Sequence, residues 1–323
     1  MSMRTIVPSV RTFVLICLLL ASVSKSHSQS ITTGNGKIEF GLGFGPLFFL
    51  GDLGGNHGYG TRFVKDVNFP ITKIQKGLYA NIYAQEWLGF RIAINQGKLE
   101  GYDALINGKG GAEENRRKRN LEFMSTLWEV YGAVEFYPTV FMEKYDGLQG
   151  KFRPYGVVGV GAFKFNPKAR YYGPGGTVQW VELKPLRLEG EGMAEYPDHK
   201  EFSLIAMEFP VGVGFKYYLK ENMYVGLEIM QRISTSDKVD GVSTTYIDNN
   251  LFAKYLTPEQ AAMANQLYFR ENFPAAPTRV PAVGEIRGNP KQNDSYFSTI
   301  LRLGWRLNEN NPALRQLRCP SYY

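Results

Sequence analysis

Apolar and polar residues alternate with a period of two along eight segments of the chain. In the clearest segment, 203–219, apolar side chains occupy every second position from Ile205 to Tyr217, and Ala, Glu, Pro, Gly or Lys lies between them. Successive side chains of a β-strand point to opposite faces, so this period predicts strands with one apolar and one polar face. The predicted strands are 37–50, 76–86, 88–99, 121–137, 152–166, 203–219, 223–234 and 294–307, and the facing of 152–166 is ambiguous.

The connections between these strands are alternately short and long. Short ones lie around Trp87, at 138–151 and around Lys220, whereas the long ones are 51–75, 100–119, 167–201 and 236–293. This asymmetry is typical of outer-membrane barrels, which have short periplasmic turns and long extracellular loops. The pattern predicts an all-β fold, an eight-stranded antiparallel up-and-down transmembrane β-barrel over 29–307. A secreted soluble barrel or sandwich is the alternative, although strands of globular proteins have about 5 or 6 residues.

The polar faces of the predicted strands carry equal numbers of acids and bases. A barrel of eight strands has an interior just wide enough for side chains to fill, and enclosed charges are tolerated when they are paired. We therefore expect a plugged lumen with structural ion pairs, in which lumen-facing glycines leave room for Arg and Tyr side chains. The candidates are Glu39, Glu129, Glu135, Glu208 and Glu228 with Arg91, Lys216, Arg232, Arg302 and Arg306.

Aromatic residues recur near the ends of the predicted strands. Such residues form girdles at the two interfaces of a membrane barrel, although a protein core accommodates them too. The candidates for these girdles are Phe48, Phe49, Trp87, Tyr137, Tyr155, Tyr217, Tyr218 and Trp305.

The N-terminus has the pattern of a secretory signal peptide. Arg4 and Arg11 precede an apolar run of 13–21, which is too short to span a bilayer, and Ser26-His27-Ser28 supplies small residues for cleavage after residue 28. Removal of 1–28 would lower the formal charge of +7 by three, so nucleic acid is not an expected partner. With a mean hydropathy of −0.26, the chain is not a polytopic helical membrane protein, whereas a barrel hides its apolar residues in alternation. We predict location in the outer membrane, with its lipid and lipopolysaccharide as partners.

Residues for catalysis or metal binding do not group in the sequence. His57 and His199 lie in different predicted loops without further ligands at suitable spacing, and no nucleophile elbow is present. We expect no enzymatic activity, no metal and no cofactor.

Two predicted loops contain local signals. The basic run Arg116-Arg117-Lys118-Arg119 could contact lipopolysaccharide phosphates, or it could be a solvated segment that pairs with Glu113 and Glu114. Thr257-Pro258-Glu259-Gln260 combines an N-cap, Pro at the first helical position and Gln three residues after the cap, which predicts a helix over 258–268.

Short segments in a fixed order resemble the outer-membrane barrels related to PorG of the type IX secretion system, over nearly the whole chain after residue 28. The resemblance implies an integral barrel, without a known reaction, that docks onto periplasmic ring subunits of the secretion machine. A paralogue outside that system stays an alternative, since Gly241 stands where the family has a second acid. The matching segments are 51–54 (GDLG), 120–123 (NLEF), 153–156 (RPYG), 165–169 (FNPKA), 188–192 (LEGEG), 210–216 (PVGVGFK), 240–246 (DGVSTTY) and 287–291 (RGNPK).

The C-terminal segment 308–323 would lie on the periplasmic side with the short turns. As a hypothesis, Arg315, Arg318 and Cys319 dock onto a periplasmic partner, and Cys319, the only Cys left after cleavage, could bridge to it. A disordered terminus is the alternative. Ligand binding or adhesion through the long loops, and a narrow channel, are the alternative functions.

Overall fold

Eight antiparallel strands form a closed barrel in the computed structural model, which describes residues 38–54, 72–85, 87–106, 113–142, 152–220, 222–275 and 277–307. Each barrel strand pairs with its two neighbours, and the barrel closes where the strand Leu88–Tyr102 pairs with Lys73–Gln85 on one side and with Glu122–Phe136 on the other. The predicted fold class is confirmed. The barrel strands are β1 (Ile38–Leu50), β2 (Lys73–Gln85), β3 (Leu88–Tyr102), β4 (Glu122–Phe136), β5 (Phe152–Lys164), β8 (Ile205–Lys220), β9 (Met223–Ser234) and β10 (Ser295–Leu307).

A short hairpin, β6 (Pro167–Tyr172) and β7 (Val178–Glu182), lies in the third long connection, where no strand was predicted. The hairpin joins the sheet through β4, because Ser125 and Met124 pair with Pro167 and Lys168. The pairing of β5 with β4 ends at Trp128, so the earlier residues of β4 can pair with β6 on that side. The sequence of the hairpin is too short and too irregular for periodicity to reveal it.

The outward face of the barrel is apolar and exposed. Along β3, Phe90, Ile92 and Ile94 are 48%, 64% and 48% exposed, and beyond them Lys98 is exposed and Glu100 half-buried on the same face. The apolar band therefore ends while the strand continues towards the long connections. An exposed apolar band around a closed barrel is the surface that lipid chains cover.

The facing of β5, which the sequence left ambiguous, follows from its pairing with β4 and β8. Arg153, Tyr155 and Val157 are buried in the lumen, while Val158 and Val160 are exposed outside. Residues 156–162 are Gly, Val and Ala only, with no polar residue at alternate positions. The two faces therefore differ too little in polarity for the sequence to distinguish them.

The aromatic residues predicted to form girdles divide between the two faces. Trp305 stacks on Phe40 outside the barrel, and Trp87 packs on Phe136 and Phe141 at the end with the short turns, which we call the turn end. The prediction was wrong for four others, because alternation places them on the inner side. Phe49 packs on Phe123 within, and the rings of Tyr137, Tyr155 and Tyr218 are buried in the lumen.

Three α-helices lie among the described residues of the long connections: α1 (Glu113–Arg119), α2 (Leu251–Tyr255) and α3 (Pro258–Tyr268). The predicted helix over 258–268 is confirmed as α3. Its predicted capping box is present too, because Thr257 accepts from the backbone of Gln260 and the Gln260 side chain accepts from the backbone of Thr257. None of the helices among the described residues has the length and apolar character needed to cross a membrane.

Candidate functional site: the filled lumen and the loop cap

The ammonium group of Lys216 lies at the centre of the lumen near the turn end and is fully buried. Its Nζ atom donates to Tyr83 Oη at 2.6 Å and to Glu39 Oε2 at 2.7 Å, and lies 3.4 Å from Glu135 Oε2. The Tyr224 ring centroid is 4.8 Å away. Carboxylates and aromatic faces thus replace the water that the cation loses on burial.

Glu39 gathers side chains from three other strands, β2, β8 and β10. Tyr83 donates to Oε2 at 2.7 Å, Tyr218 donates to Oε1 at 2.8 Å, and Arg306 Nη2 lies 3.0 Å from Oε1. The carboxylate is completely buried, and donors surround both of its oxygens. Such a network is compatible with burial because each charge has partners of the opposite sign.

A second layer lies further along the barrel axis. Arg91 forms ion pairs with Glu135 and, at 2.7 Å, with Glu228, which also pairs with Arg302 at 2.5 Å. Tyr155 donates to Glu228 at 2.7 Å. These groups come from five strands, so side chains reach across the lumen and fill it.

A third layer lies towards the end with the long connections, which we call the loop end. Arg232 pairs with Glu129 at 3.3 Å and donates to Ser298. Glu208 differs from the other nine candidates, since it makes no ion pair among the described residues and accepts a hydrogen bond from Tyr296. Arg232 is oriented towards Glu129 and Ser298 instead.

Arg153 is a lumen residue that sequence reasoning missed. Its side chain is buried, and its guanidinium lies 4.4 Å from the Tyr137 ring centroid. Sequence reasoning did not identify Arg153 as a lumen residue because the facing of β5 was ambiguous. If the inward face of that strand had been known, Arg153 would have been among the candidates.

Glycines make room for the lumenal tyrosines, and the two closest approaches are at Gly304 and Gly41. A Cβ atom on Gly304 would lie 2.1 Å from Tyr224 Cζ, and one on Gly41 would lie 2.4 Å from Tyr79 Oη. Tyr79 and Tyr224 share a hydrogen bond of 2.9 Å across the lumen. Larger residues at either position would displace this pair.

An apolar layer closes the barrel at the loop end. It combines strand residues with residues of the long connections, and its members are almost completely buried. They are Leu47, Leu53, Leu99, Leu121, Phe123, Leu127, Phe163, Phe165, Val239, Val242 and Tyr296.

Beyond this layer, the long connections form a folded unit that we call the loop cap. Its described parts are 51–54, 103–106, 113–121, 165–204, 235–275 and 277–294. The loop cap has a core of its own, in which α3 contributes Ala261, Ala264, Leu267 and Tyr268 against residues of the third long connection such as Leu186 and Leu188. Segments with a shared core hold a defined shape, in contrast to independent surface loops.

Glu189 is the main polar junction of the loop cap. Its Oε1 accepts from Arg287 Nη1 at 2.7 Å and from the Ser243 backbone at 2.9 Å, and its Oε2 accepts from Lys238 Nζ at 2.5 Å and from Thr244. Burial alone would raise the pKa of this carboxyl, but Lys238 and Arg287 hold the pKa well below its usual range. Glu189 therefore stays ionised and joins the third and fourth connections.

Four aspartates lie where the first and fourth connections meet; Asp52, Asp240 and Asp294 are buried, and Asp237 is half-buried. Asp52 accepts from the Asn289 backbone at 2.7 Å, Asp240 from the backbones of Leu53 and Val242 at 2.9 and 2.8 Å. The other two are Asp237, which accepts from Ser243 Oγ at 2.6 Å, and Asp294, which accepts from the Val239 backbone at 2.8 Å.

The ionisation of these aspartates is suppressed. Burial raises the pKa of Asp52 to about 6 and the pKa values of Asp237 and Asp240 to about 8. Burial and the neighbouring aspartates raise the pKa of Asp294 well above its ordinary value.

Half of the basic run in α1 points inward. Arg116 donates to the Gly54 carbonyl at 2.7 Å, and Arg119 pairs with Asp103 at 2.7 Å and donates to the carbonyls of Asp52 and Arg287. Arg117 pairs with Glu114 at 3.1 Å on the surface, and Lys118 is exposed. The run is therefore amphipathic, and two of its four charges belong to the interior of the loop cap.

Other candidates are placed as follows. His199 Nδ1 lies 2.5 Å from the Glu189 carbonyl oxygen, and in the part of the chain that the structure describes, no group of three or more His, Cys, Asp or Glu could hold a metal ion. His57, the signal segment 1–28 and the docking candidates Arg315, Arg318 and Cys319 lie outside the described residues.

Four of the eight segments that carry the resemblance to the secretion-system barrels meet in the loop cap, although they are far apart in sequence. Segment 51–54 contacts 240–246 through Leu53 and Asp240, and segment 287–291 through Asp52 and Asn289. Segment 188–192 contacts 240–246 and 287–291 through Glu189. The loop cap is thus one site assembled from four of these segments.

No protein-family model matches the chain, and no curated protein sequence matches it. Solved structures of outer-membrane proteins resemble it in architecture. Ail, the attachment invasion locus protein of Yersinia pestis, is 9% identical with a TM-score of 0.35 and covers 85% of this chain and 100% of its own. Neisserial surface protein A is 8% identical, with a TM-score of 0.38 and coverage of 85% and 99%. OprG from Pseudomonas aeruginosa is 10% identical, with a TM-score of 0.35 and the same coverage. At such scores these structures do not bear on the function of this chain.

Proposed function

We propose that the protein is a non-enzymatic integral barrel of the outer membrane that acts as a component or anchor of a type IX protein secretion complex. The observation that most supports a role as a component or anchor, as opposed to a channel, is the filled lumen. Charged and aromatic side chains from all sides of the barrel occupy it, and an apolar layer follows at the loop end. A barrel filled in this way is suited to binding at its two ends and not to conducting solutes.

The apolar band supports the membrane placement. Exposed Phe, Ile, Leu and Val side chains surround the barrel, and exposure of this extent to water would be unfavourable. Lipid and lipopolysaccharide are the proposed contacts of this band and of the exposed basic side chains of α1. The signal segment 1–28 would direct the chain to the secretory route and would then be cleaved after residue 28.

The secretion role rests on the resemblance of the segments that meet in the loop cap. In this proposal the turn end and segment 308–323 face the periplasm, where Arg315, Arg318 and Cys319 contact ring subunits. The loop cap faces outward, and its defined shape limits how far the long connections move.

Affinity purification from gently solubilised outer membranes tests the proposal. We expect periplasmic ring subunits to copurify with the tagged barrel, and deletion of 309–323 to reduce their recovery. The matched control is Cys319→Ser, which separates a disulfide bridge from a non-covalent contact. Recovery of the barrel without ring subunits contradicts the secretion role, and undiminished capture after the deletion contradicts docking through the tail.

A second candidate function is recognition of a surface ligand by the loop cap. The folded core of the loop cap favours it, because a recognition surface benefits from being preorganised. Binding of glycans or proteins to intact cells, lost when antibodies cover the loop cap, would support this function, while binding that persists under the antibodies would contradict it.

A further inference from the structure

A cavity of about 210 Å³ lies in the loop cap between the first, second and fourth long connections. Arg116 and Arg119 of α1 line one side, and Tyr246, Phe269, Arg279 and Arg287 of the fourth connection line the other. Sites for drug-sized ligands usually have about 300–1,000 Å³. The cavity therefore suits a small group, such as a phosphate or a monosaccharide.

Basic groups dominate the walls of this cavity. Four guanidinium groups line it, against the two carboxyl groups of Asp52 and Glu285. The acids that pair with the two deepest arginines, Asp103 with Arg119 and Glu189 with Arg287, do not line the cavity. The nearest charges to a bound group are thus mainly positive.

Two residues that line the cavity each carry a buried donor without a protein partner among the described residues. Tyr246 Oη takes part in no hydrogen bond and Arg287 Nε donates none to a described residue, and the two residues are 2% and 3% exposed. Buried polar groups are almost always hydrogen-bonded, so two unpaired donors on residues that line one cavity point to an acceptor from outside. Oxygen atoms of an anion would satisfy both.

The aromatic wall is held rigidly. The Tyr246 ring packs edge-on against Tyr268 at 5.0 Å and Phe269 at 5.8 Å, and Arg279 lies over Phe269 at 5.3 Å. Arg279 also forms two hydrogen bonds of 2.8 Å to Glu285 at the rim, where both side chains are partly exposed. Arg279 is therefore both near the cavity and open to solvent.

We propose that this cavity binds a small oxyanion-bearing ligand, of the class of sugar phosphates or sugar acids, through Tyr246, Arg279 and Arg287. Guanidinium groups match phosphate and carboxylate oxygens with two parallel hydrogen bonds. This binding site goes beyond the proposed secretion role and does not depend on it, because it is measured on the purified barrel alone.

Phosphorus NMR of glucose 1-phosphate with the purified barrel in detergent tests the proposal. We expect a saturable change in the phosphate signal that excess inorganic phosphate reverses and excess glucose does not. Arg279→Gln and Tyr246→Phe should each weaken binding roughly tenfold, since each removes a hydrogen bond to a charged group. Lys118→Gln is the matched control, because Lys118 is exposed on α1 and does not line the cavity, and it should leave affinity unchanged.

Neither substitution should unfold the loop cap, because Tyr246→Phe retains the ring contacts and Arg279 lies at the partly exposed rim. If one variant fails to fold, the other still tests the site. An unchanged affinity in both variants, or equal binding of glucose and glucose 1-phosphate, overturns the proposal. If lipopolysaccharide displaces glucose 1-phosphate, the natural ligand of the cavity is an anionic group of a lipid. If inorganic phosphate displaces it and lipopolysaccharide does not, the natural ligand is a soluble compound. Either result supports the site.

Discussion

Arg287 Nη1 and Glu189 Oε1 lie 2.7 Å apart in a buried ion pair, and the two residues, 98 positions apart in sequence, join the fourth connection to the third. Glu189 also pairs with Lys238, so one carboxylate balances two cations in the interior of the loop cap. Loss of a single partner from a buried pair leaves an uncompensated charge, which costs far more than loss of a surface pair.

Glu189→Gln should therefore open the loop cap while the barrel stays folded. We expect a loss of about 3–5 kcal/mol in the local stability of the loop cap, since Lys238 and Arg287 lose their counter-charge. Hydrogen exchange of 237–246 and limited proteolysis measure it, and the heat-modifiable gel mobility of the barrel should persist. Glu201→Gln is the matched control, because Glu201 is exposed and pairs with Arg187 at the surface, and it should cost less than about 1 kcal/mol. Equal exchange in both variants would contradict the role of Glu189.

Glu39→Gln should destabilise the barrel itself. The change removes the charge that balances Lys216 and Arg306, and we expect a loss of about 3–5 kcal/mol in the free energy of unfolding. Urea titration followed by gel mobility measures this quantity. Lys98→Gln serves as the control, because Lys98 is exposed on the outward face of β3. A change no larger than that of the control would show that the lumenal network contributes little.

Gly304→Ala tests the close approach of Tyr224 to β10. The added methyl group would lie 2.1 Å from the tyrosine ring, so the ring must move and its hydrogen bond to Tyr79 must break. We expect a loss of about 1–3 kcal/mol, the usual cost of overpacking. Gly156→Ala is the matched control, since a Cβ atom there meets nothing within 4 Å. Similar urea midpoints for the two variants would refute the crossing of the lumen by Tyr224.

The loop cap should loosen as the pH rises from 5.5 to 8.5. The raised pKa values of Asp237 and Asp240, about 8, mean that the folded state keeps protons that the unfolded chain releases near pH 4. Their contribution to stability is complete below the unfolded pKa and is lost as the pH rises through 8. Glu189, whose pKa is lowered, stays charged from pH 5.5 to 8.5 and therefore does not contribute to the change of stability with pH in this range.

Hydrogen exchange of 51–54 and 237–244, corrected for intrinsic rates, measures this pH dependence. Asp294→Asn should reduce it, because one Asp294 oxygen accepts from Val239 and the other has no partner among the described residues, so a neutral amide can replace the acid. Asp198→Asn, at an exposed position of the loop cap, is the control. A pH-independent exchange rate in the unmodified protein would contradict the prediction.

The purified protein should show no steady conductance in planar bilayers. Lys216, Arg91 and Arg232 each bridge strands with buried partners, and the apolar layer closes the loop end. Side chains would have to leave these partners to open a path for ions. Long-lived conductance steps would contradict the filled lumen and favour the channel function.

Periodicity determined much of the barrel from sequence alone. Alternation is a local property, so it assigned Glu39, Lys216 and Arg306 to the inward face. The Thr257 to Gln260 pattern located the start of α3, because a capping box needs only one turn of chain. It failed for 152–166, where small and apolar residues occupy both faces, and for the girdle residues Tyr137 and Tyr155, since a hydrophobic ring suits lipid and lumen equally.

Only the tertiary structure decided how the long connections are arranged. Glu189, Arg287 and Asp240 lie in segments without periodicity, and their partners are distant in sequence, so no local pattern reveals that they meet. The same reason explains Arg116 and Arg119, which sequence presents as part of a solvated or lipid-binding run and packing places inside the loop cap. The strands can be predicted because the alternation of apolar and polar residues is local in the sequence. The loop cap cannot, because its contacts join residues that are distant in sequence and meet only after the barrel has brought the connections together.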